Sequence, residues 1–147
     1  MRFMMLIKAD KNTEAGVLPS KELIAAMGKF NEDMMKAGVL LGGEGLQASS
    51  KGARVRFSRG KRTVIEGPFI DSKDLIAGFW LIQVKSKEEA IAWAKRCPDP
   101  LGESMEAEIE IRQVFEASDF PPDLFPPEEA AREEALRAEL QRKSTTT

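Results

Sequence analysis

The sequence contains no histidine and no tyrosine. Histidine is the usual proton carrier near neutral pH and the commonest metal ligand, so any catalysis falls to carboxylates, Lys, Arg, Ser, Thr or the one cysteine, Cys97. A zinc site of the Cys/His kind is excluded, because a single Cys cannot supply its ligands. The lone cysteine also excludes an internal disulfide and points to a reducing, cytoplasmic setting. No apolar run approaches the roughly 20 residues that cross a bilayer, so no membrane partner is expected. The opening MRFMMLIKAD has a short apolar run that ends at Lys8 with no small-residue cleavage site after it, and it reads as a strand. Charge is nearly balanced, 22 Lys and Arg against 24 Asp and Glu, which removes any global field toward nucleic acid or an anionic membrane.

What is present is the pattern of one α+β domain. A chain of 147 residues suits one folding unit with a real core and is short for two. Residues 2 to 8 alternate Phe3, Met5 and Ile7 against Met4 and Leu6, so both faces are apolar, the mark of a strand buried on both sides. Pro19 and Ser20 then open a segment in which Leu23, Met27, Phe30 and Met34 recur at helical spacing, and Gly38 is placed to end it. VLLGGEGLQ, from Val39 to Gln47, starts as a strand and then sets three glycines around Glu44, permitting a bend, a bulge or a close approach. ARVRFS and KRTVIE flank Arg59-Gly60 as a hairpin with a tight turn. GFWLIQV, Gly78 to Val84, is a second strand apolar on both faces. Ser86 caps a short helix, with Glu89 reaching back to the cap and Pro98 stopping the helix after Cys97. Residues 105 to 115 alternate as a half-buried strand.

The order β, α, β with a hairpin, β, α, β predicts a ferredoxin-like split βαβ domain, with an antiparallel sheet and both helices on one face. In that topology the two doubly apolar strands are central, and their second face needs a cover. A second copy packed across a two-fold axis supplies one, predicting a homodimer. From residue 117 the chain turns proline-rich and acidic and then helix-forming, with Glu128/Arg132 and Glu133/Arg137 at i, i+4. The division is therefore a domain over residues 1–116 and a helical extension over 117–147, with Phe120, Leu124 and Phe125 as anchors and a disordered KSTTT end.

Taken together, several segments resemble the YCII-related proteins of the DGPF-motif group. They are MRFMMLIKAD, FNEDMMKAGVL with LGGEGLQ, EGPF at Glu66 to Phe69, the run LIAGFWLIQVKSKEEAIAWAKRCP and the closing IEIRQVF. The resemblance spans roughly residues 1 to 115. It implies a ferredoxin-like fold dimerised into an α+β barrel, and a gene neighbourhood often shared with sigma factors. Two departures stand out: the DGPF aspartate is Glu66 here, and the His–Asp pair associated with related YCII proteins cannot form without histidine.

Candidate site residues follow from chemistry. EGPFIDSKD gathers Glu66, Asp71, Ser72, Lys73 and Asp74 at a Gly-Pro turn, where paired acids can perform acid/base work and Ser72 and Lys73 can hold a ligand. A solvated turn is the bland alternative. Glu44, ordered between glycines, is a second candidate ligand-binding residue, against simple bulge geometry. Trp80 is a third, although Trp80 and Trp93 are most simply core. The basic hairpin of Lys51, Arg54, Arg56, Arg59, Lys61 and Arg62 reads as a charge-guarded edge more readily than as a phosphate-binding ribbon, so nucleic acid is not an expected partner. Cys97 reads as inert packing. The expectation is a dimer holding a small molecule in a pocket near the GGEGLQ and EGPF loops, with carboxylate-based lyase or isomerase chemistry, and no cofactor or metal. Its rival is a non-catalytic regulatory or interaction module.

Overall fold

The computed structural model describes residues 1–70, 74–100 and 106–145. Three of the candidate residues, Asp71, Ser72 and Lys73, lie outside the described residues. The described chain forms two compact units, Met1–Val114 and Phe115–Thr147.

In the first unit, strands β1 (Arg2–Lys8), β2 (Leu40–Gly45), β5 (Ile76–Gln83) and β6 (Ile109–Gln113) form a sheet in the order β2-β5-β1-β6. Each of its ladders is antiparallel, which is the ferredoxin-like arrangement, with the two doubly apolar strands in the middle. Alternation along β1 sends Phe3 and Met5 to one face, where they are buried, and Met4 and Leu6 to the other. Helices α2 (Lys21–Lys36) and α3 (Lys87–Arg96) cover the first face. Their Phe30, Met34, Ala90 and Trp93 join Phe3, Met5, Val39, Trp80, Ile82 and Val84 in one core. Phe30 meets Trp80 edge to face at 5.4 Å. On the other face the β1–β5 register sets Met4 opposite Leu81 and Leu6 opposite Phe79, four half-buried residues that do not belong to this core.

Helix ends follow the chemistry of their capping residues. Ser20 Oγ accepts from Leu23 N at 3.1 Å to start α2, and Gly38, at φ 75°, ends it in the left-handed region that suits glycine. Ser86 Oγ accepts from Glu89 N at 3.1 Å, while the Glu89 carboxylate takes Lys85 N at 2.8 Å, one residue beyond the cap. The segment between β1 and α2 holds a helical turn, α1 (Lys11–Glu14). A reciprocal box stabilises it: Asp10 Oδ1 accepts from Thr13 N and Thr13 Oγ1 accepts from Asp10 N, both at 2.8 Å. The last strand is shorter than its alternating pattern suggested, five residues from Ile109.

β3 (Ala53–Ser58) and β4 (Lys61–Glu66) pair as a separate two-stranded sheet. Their turn is Arg59-Gly60, with φ of 50° and 79°, the pair of positive angles a type I′ turn requires. Val55 faces Val64 and Phe57 faces Arg62 across this ladder, and Val55, Phe57 and Val64 are all exposed.

In the second unit Phe120 stacks between Phe115 and Phe125, with ring centroids 4.9 and 5.6 Å away. Helix α4 (Pro127–Thr145) follows. Arg137 pairs with Glu133 as the spacing predicts, but Arg132 pairs with Glu129 at i, i+3 instead of Glu128. The helix continues to Thr145, so most of the KSTTT end expected to be disordered is helical backbone.

Candidate ligand-binding site

A cavity of about 820 Å³ opens between α2 and the sheet, where β1 and β2 end and β5 begins. Glycine creates this space. Gly45 lies directly across from Gly78, Gly78 across from Ile7 and Ile7 across from Ile109, so two of the four positions in that cross-strand row carry no side chain. An added Cβ on Gly45 would meet nothing within 4 Å. The GGEGLQ motif therefore leaves the sheet bare where a helix crosses it.

The apolar stripe of α2 divides in two. Phe30 and Met34 go to the core, while half-buried Leu23 and Met27 form the cavity wall. Val17, Leu18, Ile24 and Leu46 also line it and are all exposed, so apolar surface that folding alone leaves wet gathers at its mouth. Trp80 closes the inner end. It is 6% exposed, and its indole N–H donates to Asn31 Oδ1 at 2.7 Å. Gly43 stands opposite it in the ladder.

Glu44 is among the lining residues, and it is exposed. Its register partner is Phe79, however, so alternation directs its side chain to the face away from Trp80 and Gly43, the face that carries Leu81 and Met4. Glu66 sits at the end of β4, exposed, and is not among the residues lining the cavity. The structure thus brings Trp80 and the Glu44 strand to one cavity and leaves Glu66 outside it.

The Gly-Pro-Phe that follows Glu66 is a joint. Gly67 N donates to Gly52 O at 3.0 Å, and Phe69 N donates to Ser49 Oγ at 3.0 Å. Ser49 in turn donates from Oγ to the Glu14 carboxylate, which also accepts Ser49 N at 3.1 Å. A Cβ on Gly67 would lie 1.7 Å from Ser49 O, so only glycine fits there. Arg54 lies over the Phe69 ring at 3.9 Å. Residues 14, 49 and 69 are joined by bonds that span 35 and 20 positions of sequence, which no local pattern announces.

Asn31 is the site residue that sequence reasoning passed over. The signal for it was spacing, since Leu23, Met27 and Asn31 follow at intervals of four and share one ridge of α2. Cys97 lies at a smaller cavity of about 420 Å³ between α3 and β6. Burial, and then the negative charge of Asp99, push its thiol up to about 12. A thiol held protonated is a poor nucleophile and fits the packing role expected of it. Among the described residues, no cluster of three or more His, Cys, Asp or Glu could hold a metal ion. No helix among them is long and apolar enough to cross a membrane.

The sequence profile of the YCII-related domain matches residues 1–118. The chain belongs to the YCII-related family. Among solved structures, this YCII-related chain is similar to a 5-chloro-2-hydroxyhydroquinone dehydrochlorinase from Burkholderia phenoliruptrix AC1100, in complex with 2,5-dihydroxybenzoquinone. Identity is 14%, with 82% of this chain and 100% of that chain covered, and the TM-score is 0.44. No curated protein matches the chain.

Proposed function

We propose that this YCII-related protein binds a small, mainly apolar molecule in the cavity between α2 and the sheet, and that it does so as a cytoplasmic homodimer. The observation that carries the binding reading is the pairing of a sheet stripped of side chains at Gly45 and Gly78 with exposed apolar residues at the cavity mouth. A concave volume of this size, mainly apolar with a few polar groups, is the usual form of a small-molecule site. The dimer reading rests on the sheet face of Met4, Leu6, Phe79 and Leu81, which lies outside the core formed with α2 and α3.

Gly45→Ile tests the site. The side chain enters empty space at a strand position, so the fold is expected to hold while the cavity fills. Native mass spectrometry of the protein as isolated should show bound mass on the wild type and none on the variant. Equal loading of the two would place the ligand elsewhere.

Carboxylate chemistry on the ligand, of the lyase or isomerase kind, is the second reading. It seats the ligand outside the cavity between α2 and the sheet, against Glu44 or Glu66, two exposed carboxylates that no described residue engages. Once a ligand is known, loss of turnover without loss of binding in Glu44→Gln or Glu66→Gln supports it. Binding with no turnover in the wild type leaves a regulatory module.

A further inference from the structure

We propose that the cavity selects ligands that carry an acceptor oxygen, a ketone or similar carbonyl on a flat apolar frame, and that Asn31 is the residue that binds that oxygen. This rests on the reading of the cavity as a small-molecule site.

The geometry fixes which way Asn31 faces. An indole N–H can only donate, whereas an asparagine side chain has one acceptor oxygen and one NH2 group with two donors. With Trp80 Nε1 at 2.7 Å, the Asn31 amide must present its oxygen to the indole. Its NH2 group is then turned away from Trp80 on an exposed residue at the cavity, and it makes no hydrogen bond to a described residue. The indole cannot easily shift to relax this arrangement. It is buried, packed edge to face on Phe30 at 5.4 Å, and backed by Gly43, where a Cβ would lie 2.7 Å from its Cδ1. An amide on a helix surface is ordinarily a free rotor, and this one is held.

The surroundings define what the NH2 group can meet. Leu23 and Met27 precede Asn31 on the same ridge of α2, and the facing sheet is bare at Gly45 and Gly78, so the space near the amide is a slot between a helix and a backbone surface. A flat frame fills such a slot. Lys8, the one cation among the described residues lining the cavity, is paired with Glu110 at 3.9 Å. Among the described lining residues the other charged side chains are Glu44 and Asp99, both acids, which disfavours an anionic ligand. A neutral carbonyl compound meets these conditions.

The test uses two neutral naphthalenes that differ in one oxygen, 6-acetyl-2-dimethylaminonaphthalene and its 6-ethyl counterpart, titrated by their own fluorescence. Asn31→Asp is the informative variant, because its carboxylate still accepts from Trp80 but offers no NH2. One net hydrogen bond corresponds to about threefold to tenfold in affinity. The wild type should therefore prefer the ketone by about that factor, and Asn31→Asp should lose the preference while binding the ethyl compound as before. The Trp80 indole N–H resonance should stay at the low field of a hydrogen-bonded indole in the variant, showing that the Trp80 contact is kept by the carboxylate. A ketone preference that survives in Asn31→Asp, or is absent in the wild type, overturns the assignment of Asn31. Failure of the wild type to bind either compound, or equal binding by Gly45→Ile, overturns instead the cavity reading beneath it.

Discussion

Gly43 stands directly across the β2–β5 ladder from Trp80, and a Cβ at position 43 would lie 2.7 Å from the indole Cδ1 and 2.9 Å from the carbonyl oxygen of Phe79. The second contact is backbone, so the strain cannot be relieved by rotating one side chain. Gly43→Ala is expected to cost about 1–3 kcal/mol through overpacking and to push the indole off Asn31. Urea unfolding measures the first effect. Trp80 emission in a Trp93→Phe background measures the second, and no change in either would show that the ladder yields at this point.

The Ser49 relay gives a separate prediction. Ser49→Ala removes the acceptor of Phe69 N and the hydroxyl donor to Glu14, leaving Phe69 N without its partner in a half-buried joint. A loss of about 1–3 kcal/mol follows, with faster amide hydrogen exchange at Phe69. Exchange at Phe69 equal to wild type would mean that the loop is held by other contacts.

Cys97 predicts a pH dependence. Its thiol, with an ordinary value of 9.0, is pushed up to about 12 by burial and by Asp99. A group whose folded value is raised contributes stability in full below the unfolded value and loses it as pH climbs toward the folded one. Wild type should therefore lose stability between about pH 9 and 12 more steeply than Cys97→Ala. Parallel pH profiles for the two proteins would contradict this.

The dimer reading predicts that position matters more than charge. Leu81→Lys places an ammonium on the sheet face proposed to meet a second copy, where a buried unpaired charge is costly, whereas Leu140→Lys changes a side chain already 68% exposed on α4. Light scattering should report dissociation for the first and not the second. Deleting residues 127 to 147 should leave cooperative unfolding intact, and a large loss would make α4 part of the core or of the contact.

Much of the fold was legible because its signals are local. Alternation through Phe3, Met5 and Trp80, Ile82 marks the central strands, Ser20 and Gly38 bracket α2, and Arg59-Gly60 can only be a turn. The site was legible only in part. GGEGLQ announced itself through its glycines, but that Gly45 would face Gly78, and so empty the sheet, depends on pairing across 33 residues of sequence. The bond from Asn31 to Trp80 spans 49 positions and involves a polar residue with no motif around it. Glu66 stands where the resembled motif has its aspartate, yet the residues after it serve to lock two loops together, and its carboxylate lies outside the cavity.

The most direct test of the cavity as the binding site uses the two indole N–H resonances of the protein, those of Trp80 and Trp93, followed while a library of small aromatic carbonyl compounds is added. Compounds that bind should move the Trp80 resonance, leave that of Trp93 in place, and lose their effect in Gly45→Ile. Binders that shift neither indole, or that act equally on the Gly45→Ile protein, would contradict the account.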